Sequence, residues 1–379
     1  MKIKTYNCIR NVPKEDWESV LNTHSLTYSH QFWEIMEQCQ LNDFSYNYLL
    51  FYNNADQAIA LTSYYTITTD IAIFAPKNLR SILKQIRCLW PNFLKFKMLE
   101  CGTPITLNAP LAIGDEKAST SLMKQLGELL IQMAKDQGHF LIVLRDFEPE
   151  TEALQPTLKQ LEFHLENSLP NTYLDINWET PAAYLADMKS YYRSKLQKHL
   201  RINQEQEVSH KLLDNFDDLA EILCQQWQTV HEHASEFQRE VLTPQFYAEF
   251  SVKMGENSKV LLFYRKQELV GHALLLMDKD ILRWLYFGRN EAVNDSLYIY
   301  VGHKVIETAI LLKAKKLEMG LTTYAIKKDL GAYLSPIKLA LRSPSNFINR
   351  FIGVFYPLLN HIPEIKNKNI FKRQKNDSL

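Results

Sequence analysis

The chain has 379 residues, 46% of them apolar, which is enough for two domains with separate buried cores. Its 43 basic and 43 acidic residues cancel, so no net charge attracts the whole chain to nucleic acid or to a membrane. The five cysteines form no CxxC pair, and the 11 glycines form neither a P-loop nor a dinucleotide-binding fingerprint, which argues against a disulfide framework, a zinc site and an ATP- or NAD-dependent enzyme.

The N-terminal residues Met1–Asn7 lack an apolar signal core. No apolar run in the sequence approaches the length of a transmembrane helix. We therefore expect a soluble, cytoplasmic protein.

Hydrophobic periodicity in the first half predicts a mixture of helices and strands. Ser29 or His30 is expected to begin the second helix, and Asn53–Asn54 to turn a hairpin. The predicted helices are Pro13–Asn22, Gln31–Gln40, Ser119–Gln137 and Glu152–Leu161, and the predicted strands are Phe44–Tyr52, Gln57–Tyr65, Ile67–Ile73, Met98–Cys101 and Phe140–Leu144.

A strand followed by a basic helix is predicted at the centre of the chain. The strand is Leu169–Trp178, and the helix is Thr180–Arg201, with Thr180 as N-cap and Pro181 at the first helical position. The second half of this helix carries four cations, Arg193, Lys195, Lys198 and Arg201.

An antiparallel meander is predicted from three short apolar runs separated by polar turns, Val260–Tyr264, Leu269–Met277 and Ile281–Phe287. The period then becomes helical from Tyr298 to Leu312, behind an N-cap at Asp295 or Ser296 and ahead of Gly320 as C-cap. A further strand, Thr322–Ile326, is predicted to follow. The order of meander, helix and strand resembles the core of the GNAT acyltransferase fold.

Short motifs in a fixed order extend this resemblance to a family. From about residue 25 to residue 345, the chain resembles the Fem-like and BioF2-like proteins, which are tandem GNAT-fold acyltransferases. The matching positions are the Asp70 region, Leu99–Pro104, Pro170, Thr172, Leu174, Asp175, Trp178, Tyr184–Leu185, Tyr192–Arg193, Tyr324, Lys327–Lys328 and Leu330–Ala332.

The resemblance implies an α/β (α+β) fold of two tandem GNAT-like domains, each a mixed, largely antiparallel sheet flanked by helices. The expected domains are 1–168, an N-terminal GNAT-like domain, and 169–342, the C-terminal acyltransferase domain. An amphipathic helix and basic tail are expected over 343–379. Both halves give strands, then a long helix, then a short apolar strand, which agrees with this division.

The resemblance further implies a bacterial N-acyltransferase that moves an acyl group from a thioester donor to an amine. The donor is expected to be acyl-CoA or a carrier-bound acyl group, acting as co-substrate with no tightly bound cofactor. The acceptor is expected to be an amine of a small molecule or an envelope precursor, bound between the two domains. Two alternatives stay open: an aminoacyl-tRNA-dependent Fem-like transferase, and a non-catalytic ligand-binding protein.

Acyl transfer needs a held donor, a deprotonated amine and hydrogen-bond donors for the oxyanion. The predicted catalytic residues are His272, as base, and Tyr286, as proton donor. Donor contacts are expected where the strand Trp284–Gly288 meets the following helix, at Arg289, Asn290 and Ser296, and substrate contacts at Tyr192, Arg193, Lys195, Tyr324, Lys327 and Lys328. The competing interpretation is that the histidine and tyrosines are packed core and the cations lie on solvated faces.

One departure from the GNAT pattern bears on the donor. The turn Arg289–Ser296 has no glycine after Gly288 and carries two acids, whose side chains would repel a pyrophosphate. Whether coenzyme A is the donor therefore stays open. His231 and His233 have metal-like spacing but do not share a helix face, so no metal site is expected.

The C-terminal segment combines the apolar run Phe347–Leu359 with a basic tail of Lys366, Lys368, Lys372, Arg373 and Lys375. Such a pattern is typical of a helix lying on an anionic membrane, which would make the protein peripheral to the inner membrane. The other interpretation is a helix packed on the domain and followed by a disordered tail.

Overall fold

The structure is a computed structural model that describes residues 2–21, 24–70, 77–114, 116–233, 240–291, 293, 295–359 and 368–372. The chain divides into two compact units. Unit 1 comprises 1–169 and 336–363, and unit 2 comprises 170–335 and 364–379.

Unit 1 is a mixed sheet with helices on both faces. Its sheet has the order β1-β2-β3-β4-β6-β15-β7, with β5 paired to β3, and among the described strand pairs only β4 and β6 run parallel. The strands are β1 (Lys2–Tyr6), β2 (Ser45–Tyr52), β3 (Ala58–Asp70), β4 (Lys95–Cys101), β5 (Ala112–Ile113), β6 (Leu141–Phe147), β7 (His164–Asn167) and β15 (Lys338–Arg342). The helices are α1 (Lys14–Val20), α2 (His30–Cys39), α3 (Lys77–Leu89), α4 (Ser119–Asp136), α5 (Gln155–Gln160) and α12 (Asn346–Leu359).

The core of unit 1 follows the helical and strand periodicities. Leu122, Leu126 and Leu130 form the buried stripe of α4 and belong to one apolar cluster with residues of β2, β4 and β6. Ile352 and Tyr356 of α12 pack against a second cluster, formed by Met98, Leu141, Val143 and Leu341. The sheet is therefore covered on both faces, as expected for a GNAT-like domain.

Unit 2 repeats this plan with a longer meander. Its sheet has the order β14-β8-β13-β12-β11-β10-β9, and among its described strand pairs only β12 and β13 run parallel. The strands are β8 (Asn171–Asp175), β9 (Val208–Leu213), β10 (Ser258–Arg265), β11 (Glu268–Asp278), β12 (Ile281–Arg289), β13 (Lys316–Glu318) and β14 (Tyr333–Ser335). The helices are α6 (Pro181–Asp187), α7 (Ser190–Glu205), α8 (Ala220–His233), α9 (Pro244–Met254), α10 (Leu297–Leu311) and α11 (Tyr324–Asp329).

The predicted meander is confirmed as β10, β11 and β12, but two expectations after it are wrong. The helix α10 ends at Leu311, so Gly320 is not its C-cap. The segment predicted as a strand at 322–326 instead begins α11, because Thr322 and Thr323 adopt left-handed φ angles of 64° and 45° that end any extended run. The strand that pairs with β12 is β13, which lies earlier in the sequence.

The basic helix predicted over 180–201 is two helices. Met188 and Lys189 are extended, with ψ angles of 140° and 144°, and separate α6 from α7. Local periodicity could not predict this break, because it involves a tertiary contact: Met188 forms an antiparallel bridge with Phe371. The predicted third strand of unit 1, 67–73, is the continuation of β3 as far as Asp70, and 71–73 lie outside the described residues.

The ends of the units also differ from the expected domains. The first division falls between 169 and 170, one residue from the expected boundary, but residues 336–342 belong to unit 1 rather than to the C-terminal domain. The reason is that β15 returns to pair antiparallel with both β6 and β7. The described part of the tail, 368–372, contacts unit 2, because Phe371 packs against Trp178 and Tyr184.

This return of the chain makes β15 an interior strand of unit 1. Ala340 is fully buried there, so Ala340→Asp should lower the free energy of unfolding by several kcal/mol, because a carboxylate would lie unpaired in the core. Urea denaturation measures the decrease. The matched control is Val252→Asp at a position that is 66% exposed, which should cost little. Equal stability of both variants would contradict the placement of β15.

Candidate active site

Unit 2 contains a gap between its two parallel strands. The strand β12 pairs with β13 over only three residues, Ile281 to Arg283, and then continues to Arg289 with β11 as its only described strand partner. A register shift opposite Leu274 and Leu275 leaves Leu285 as an extra residue in β12. Backbone groups of Trp284–Gly288 thus lie beside an opened edge, where the GNAT resemblance places the acyl donor.

A buried ion cluster lies at the root of this gap. Arg283 Nε donates to Asp278 Oδ2 at 2.9 Å, and its Nη1 donates to Glu318 Oε2. All three side chains are buried, and the two carboxylates hold the pKa of Arg283 above its usual range against the effect of burial. The cluster joins the last paired residues of β12 and β13, so it fixes where the strands separate.

Aromatic side chains form one wall of the gap. The Trp284 and Tyr298 rings stack with centroids 5.5 Å apart, and Phe287 meets Tyr298 edge-on at 5.1 Å. The Tyr298 hydroxyl lies 2.9 Å from Thr323 Oγ1. Burial raises the pKa of Tyr298 to about 12, so this hydroxyl keeps its proton at neutral pH and can donate a hydrogen bond.

Lys327 lies beneath the loop that closes the gap. Its side chain is 2% exposed, and Nζ donates to Leu321 O at 2.6 Å and to Gly320 O at 3.1 Å. Burial lowers the pKa of Lys327 to about 7, an effect that Glu318 only partly opposes. A large fraction of this amine is therefore neutral near pH 7, which is the state that a general base requires.

The structure places Lys328 and Tyr324, which were predicted as substrate contacts together with Lys327, on the helix α11. Lys327 and Lys328 were expected at the end of a strand with their charges towards a cleft or solvent, but both lie buried on α11. Burial and the nearby Lys368 lower the pKa of Lys328. Tyr324 is also buried, and its hydroxyl donates to Pro170 O at 2.9 Å, so it holds α11 against the start of unit 2.

The N-terminus of α10, where a pyrophosphate was expected, is occupied by a side chain of the protein. Arg289 donates to Asp295 through Nη1 at 3.1 Å and Nη2 at 2.9 Å, and also to Val293 O. Asp295 Oδ1 accepts from Leu297 N at 2.9 Å, at the start of the helix. These contacts hold the pKa of Asp295 below its usual value although burial raises it. Arg289 is thus buried and engaged rather than presented to a ligand.

Ser296 and Asn290 are likewise committed to the protein. Ser296 Oγ lies 2.9 Å from His199 Nδ1, which ties the start of α10 to α7. Asn290 donates to Leu269 O at 2.8 Å and accepts from Gln226 Nε2 at 2.8 Å. The three predicted donor contacts therefore build the loop between β12 and α10.

His272 is the centre of a buried polar network. Gln226 Nε2 donates to Leu269 O and Asn290 Oδ1, so its Oε1 faces His272 Nδ1 at 2.9 Å and must accept from it. His272 Nε2 then accepts from the Tyr247 hydroxyl at 3.0 Å. Burial alone lowers the pKa of His272 to about 3. With both nitrogens bonded and no exposed surface, His272 is placed to stabilise the sheet, and this geometry argues against its predicted role as base.

Tyr286 and the predicted substrate contacts of α7 lie at the periphery of the candidate site. The Tyr286 hydroxyl donates to Glu240 Oε1 at 3.2 Å, and the ring is half-buried against Trp227. Arg193 Nη1 donates to Met188 O at 3.1 Å, where α6 has ended. Lys195 Nζ bonds Asp329 Oδ2 at 2.5 Å, which with Lys368 holds the pKa of Asp329 low. Tyr192 packs on the core of unit 2.

Sequence reasoning missed the residues that shape the gap. Arg283 stands inside an apolar run, and a charge in such a position signals a buried partner, but the partner Glu318 is 35 residues away. His231 stacks on Trp227, and His233 Nδ1 lies 2.8 Å from Thr229 O. Within the described ranges, no group of three or more His, Cys, Asp or Glu side chains is arranged for a metal.

The two sheets, the gap in the second and its wall of aromatic residues define a transferase of the tandem GNAT fold. The chain belongs to the FemAB-like family, described as peptidoglycan biosynthesis/recognition, whose sequence model matches residues 8–324.

Comparisons with individual proteins agree with this assignment. The crystal structure of FemX is similar with a TM-score of 0.56 at 12% identity, covering 90% of this chain and 97% of that one. A tandem GNAT protein from the clavulanic acid biosynthesis pathway gives a TM-score of 0.50 at 9% identity, with coverage of 91% and 99%. Both likenesses concern the fold.

The curated relatives include "Putative 8-amino-7-oxononanoate synthase 2" of Mycobacterium tuberculosis. The chain is 24% identical to it over 322 residues, which are 83% of this chain and 42% of that protein. The chain therefore spans less than half the length of this relative.

Because burial lowers the pKa of Lys327, the pH dependence of the protein's stability tests whether this side chain is buried. The folded-state pKa lies below the ordinary 10.5, so between pH 7 and 10.5 the unfolded chain binds more protons and the stability rises with pH. Lys327→Met should remove this dependence. Relative to the variant, the wild type should gain up to about 1.4 kcal/mol per pH unit within that window.

Urea denaturation of both proteins at pH 7, 8 and 9 measures this difference. The matched control is Lys211→Met, at an exposed position of β9, which should keep the wild-type pH dependence. If the unfolding free energies of the wild type and of Lys327→Met change with pH in parallel, Lys327 is not a buried neutral amine.

The His272 network should tolerate no side chain at Gly288. A Cβ there would lie 2.2 Å from His272 Cε1 and 2.8 Å from the backbone nitrogen of Trp227. Gly288→Ala should therefore cost about 1–3 kcal/mol of stability or more, as overpacked cores do. The matched control is Gly114→Ala, whose Cβ would meet its neighbours at 3.4 Å or beyond. Thermal unfolding that is unchanged in Gly288→Ala would contradict this packing around His272.

Proposed function

We propose that the chain is an N-acyltransferase that takes its acyl group from a large carrier, with aminoacyl-tRNA as the first candidate, and passes it to an amine of an envelope precursor. The reaction would form an amide and break the donor ester. The amine loses a proton, and the carrier hydroxyl gains one. Membership of the FemAB-like family supports both the envelope acceptor and this donor class.

The observation that carries the choice of donor is the occupied N-terminus of α10. In a CoA-dependent GNAT domain this helix start faces the pyrophosphate, whose negative charge it stabilises. Here Asp295 already accepts from Leu297 N and is held by Arg289. A pyrophosphate would have to displace this carboxylate or lie beside it, and both cost free energy. We therefore place acyl-CoA, or another small thioester, second.

Within the gap, the roles follow from chemistry. Backbone N–H groups along the opened edge of β12 can stabilise the oxyanion of the tetrahedral intermediate. Lys327, with its pKa near 7, can take a proton from the attacking amine if the loop at Gly320–Leu321 releases its Nζ. Tyr298 can donate to the leaving oxygen, since it remains protonated at neutral pH. In this scheme Lys327 replaces His272 as base.

The cations of α7 suit a polyanionic carrier. Lys198 and Arg201 are exposed and lie three residues apart, so they share one side of the helix. If both side chains bind tRNA phosphates, replacing either one should make the binding less dependent on salt. This local patch is compatible with the zero net charge of the chain.

The donor is tested by binding and by transfer. We expect no rise in melting temperature with coenzyme A, acetyl-CoA or a long-chain acyl-CoA, and a rise with charged tRNA. At a charged-tRNA concentration of 100 times its dissociation constant, the free energy of unfolding should rise by about 2.7 kcal/mol. Transfer is followed with radiolabelled aminoacyl-tRNAs and a peptidoglycan precursor that has a free amine.

Two variants sharpen this experiment. Lys198→Ala/Arg201→Ala should weaken tRNA binding and flatten its salt dependence, whereas Lys211→Ala, an exposed cation on β9, should not. Stabilisation by an acyl-CoA with turnover of that thioester would overturn the proposed donor class. If neither donor class supports transfer, the result would favour a non-catalytic, ligand-binding protein.

A further inference from the structure

Unit 1 exposes an apolar stripe that the transfer reaction does not use. Ile82, Leu89 and Trp90, at the end of α3 and just beyond it, are 55%, 93% and 62% exposed. Ile86 is also exposed, and the spacing of four, three and one residues places these side chains along one side of the helix. Leu83 is buried against Phe93 and Leu94 on the inner face of the helix, and the Trp90 ring borders this face, 5.4 Å from the ring of Phe93.

The helix is held firmly in this orientation. Arg87 donates to both carboxylate oxygens of Asp70 at 2.5 Å and to Phe93 O at 2.9 and 3.0 Å. Asp70 is the last residue of β3, and Phe93 precedes β4. Both ends of the connection are thus tied to the side chain of Arg87, and the stripe does not fold back on the sheet.

The charge around the stripe is mainly positive, although Asp70 neutralises Arg87. Residues 71–99 contain six basic residues and no acidic residue, although the chain as a whole is neutral. Lys84 is exposed on α3, and the exposed Lys95 and Lys97 follow at the start of β4. Lys95 and Lys97 line an open groove of about 650 Å³ together with Lys135, residues 343–345 and Ile348, and its described lining includes no acidic side chain.

We propose that α3 is a docking site for an anionic bilayer surface. Ile82, Ile86, Leu89 and Trp90 would enter the boundary between headgroups and acyl chains, and the lysines would contact the lipid phosphates. Charge complementarity and the terminal Trp favour a bilayer over a protein partner, since indole rings prefer the headgroup level. No helix within the described parts of the chain is long and apolar enough to cross a membrane, so the contact is peripheral.

The α3 surface lies in a different part of the chain from the C-terminal segment, whose membrane contact stays a prediction. In the described segment 368–372, Lys368 bonds Asp329 and Lys372 Nζ donates to Ala186 O at 2.6 Å. Both cations are therefore engaged with unit 2. The proposal goes beyond the transfer reaction and does not depend on its donor.

Vesicle flotation tests the proposal with the full chain. We expect binding to vesicles of phosphatidylcholine with about a third of phosphatidylglycerol, little binding to phosphatidylcholine alone, and release as salt rises. Ile82→Asp/Leu89→Asp should lower the partition coefficient at least about tenfold, since it removes two apolar side chains and adds repulsion. The control Val252→Asp, at an exposed apolar position of unit 2, should bind as the wild type does.

Both substituted positions are exposed, so the variants should melt within a few degrees of the wild type, which thermal unfolding checks. A wild type that floats with neither vesicle, or a double variant that floats as well as the wild type, would overturn the proposal. Sedimentation without lipid gives the remaining outcome. A dimeric wild type and a monomeric Ile82→Asp/Leu89→Asp variant would assign the stripe to an interface between copies instead.

Discussion

The separation of β12 from β13 is the constraint on which the candidate site depends. The two strands pair over three residues and part beyond the buried cluster of Arg283, Asp278 and Glu318. Such a cluster is costly to build, because three charges leave water, but removing one partner would cost more. Its contribution is therefore to position: it sets the residue at which the β12 backbone separates from β13.

In the proposed function, the groups that would carry out the chemistry are separate from the helix start that would bind a pyrophosphate. Trp284 and Tyr298 provide an apolar wall, and Lys327 supplies an amine whose charge is lost near neutral pH. The helix start next to the gap, in contrast, is neutralised from within by Asp295. Because Asp295 occupies the position expected for a pyrophosphate, such a site suits a donor that is recognised through other parts of its carrier.

The sequence was informative where the physics is local. The meander, α4 and α10 follow from periodicity, and the family resemblance anticipated two GNAT-like sheets. The break between α6 and α7 and the return of β15 depend on partners far away in sequence, such as Phe371 for Met188. His272 shows the same limit: the sequence placed it on the correct strand, but its partners Gln226 and Tyr247 come from two other helices and leave it neutral and enclosed.

The central claim is that acyl transfer takes place at the gap in unit 2. It is tested most directly by an aminoacyl-tRNA whose amino acid carries a photoreactive diazirine, with the crosslinked peptides mapped by mass spectrometry. We expect crosslinks within β12 from Trp284 to Arg289 or within 319–327, and competition by unlabelled charged tRNA. Crosslinks confined to unit 1, or crosslinks within β12 that persist in excess unlabelled charged tRNA, would contradict the claim.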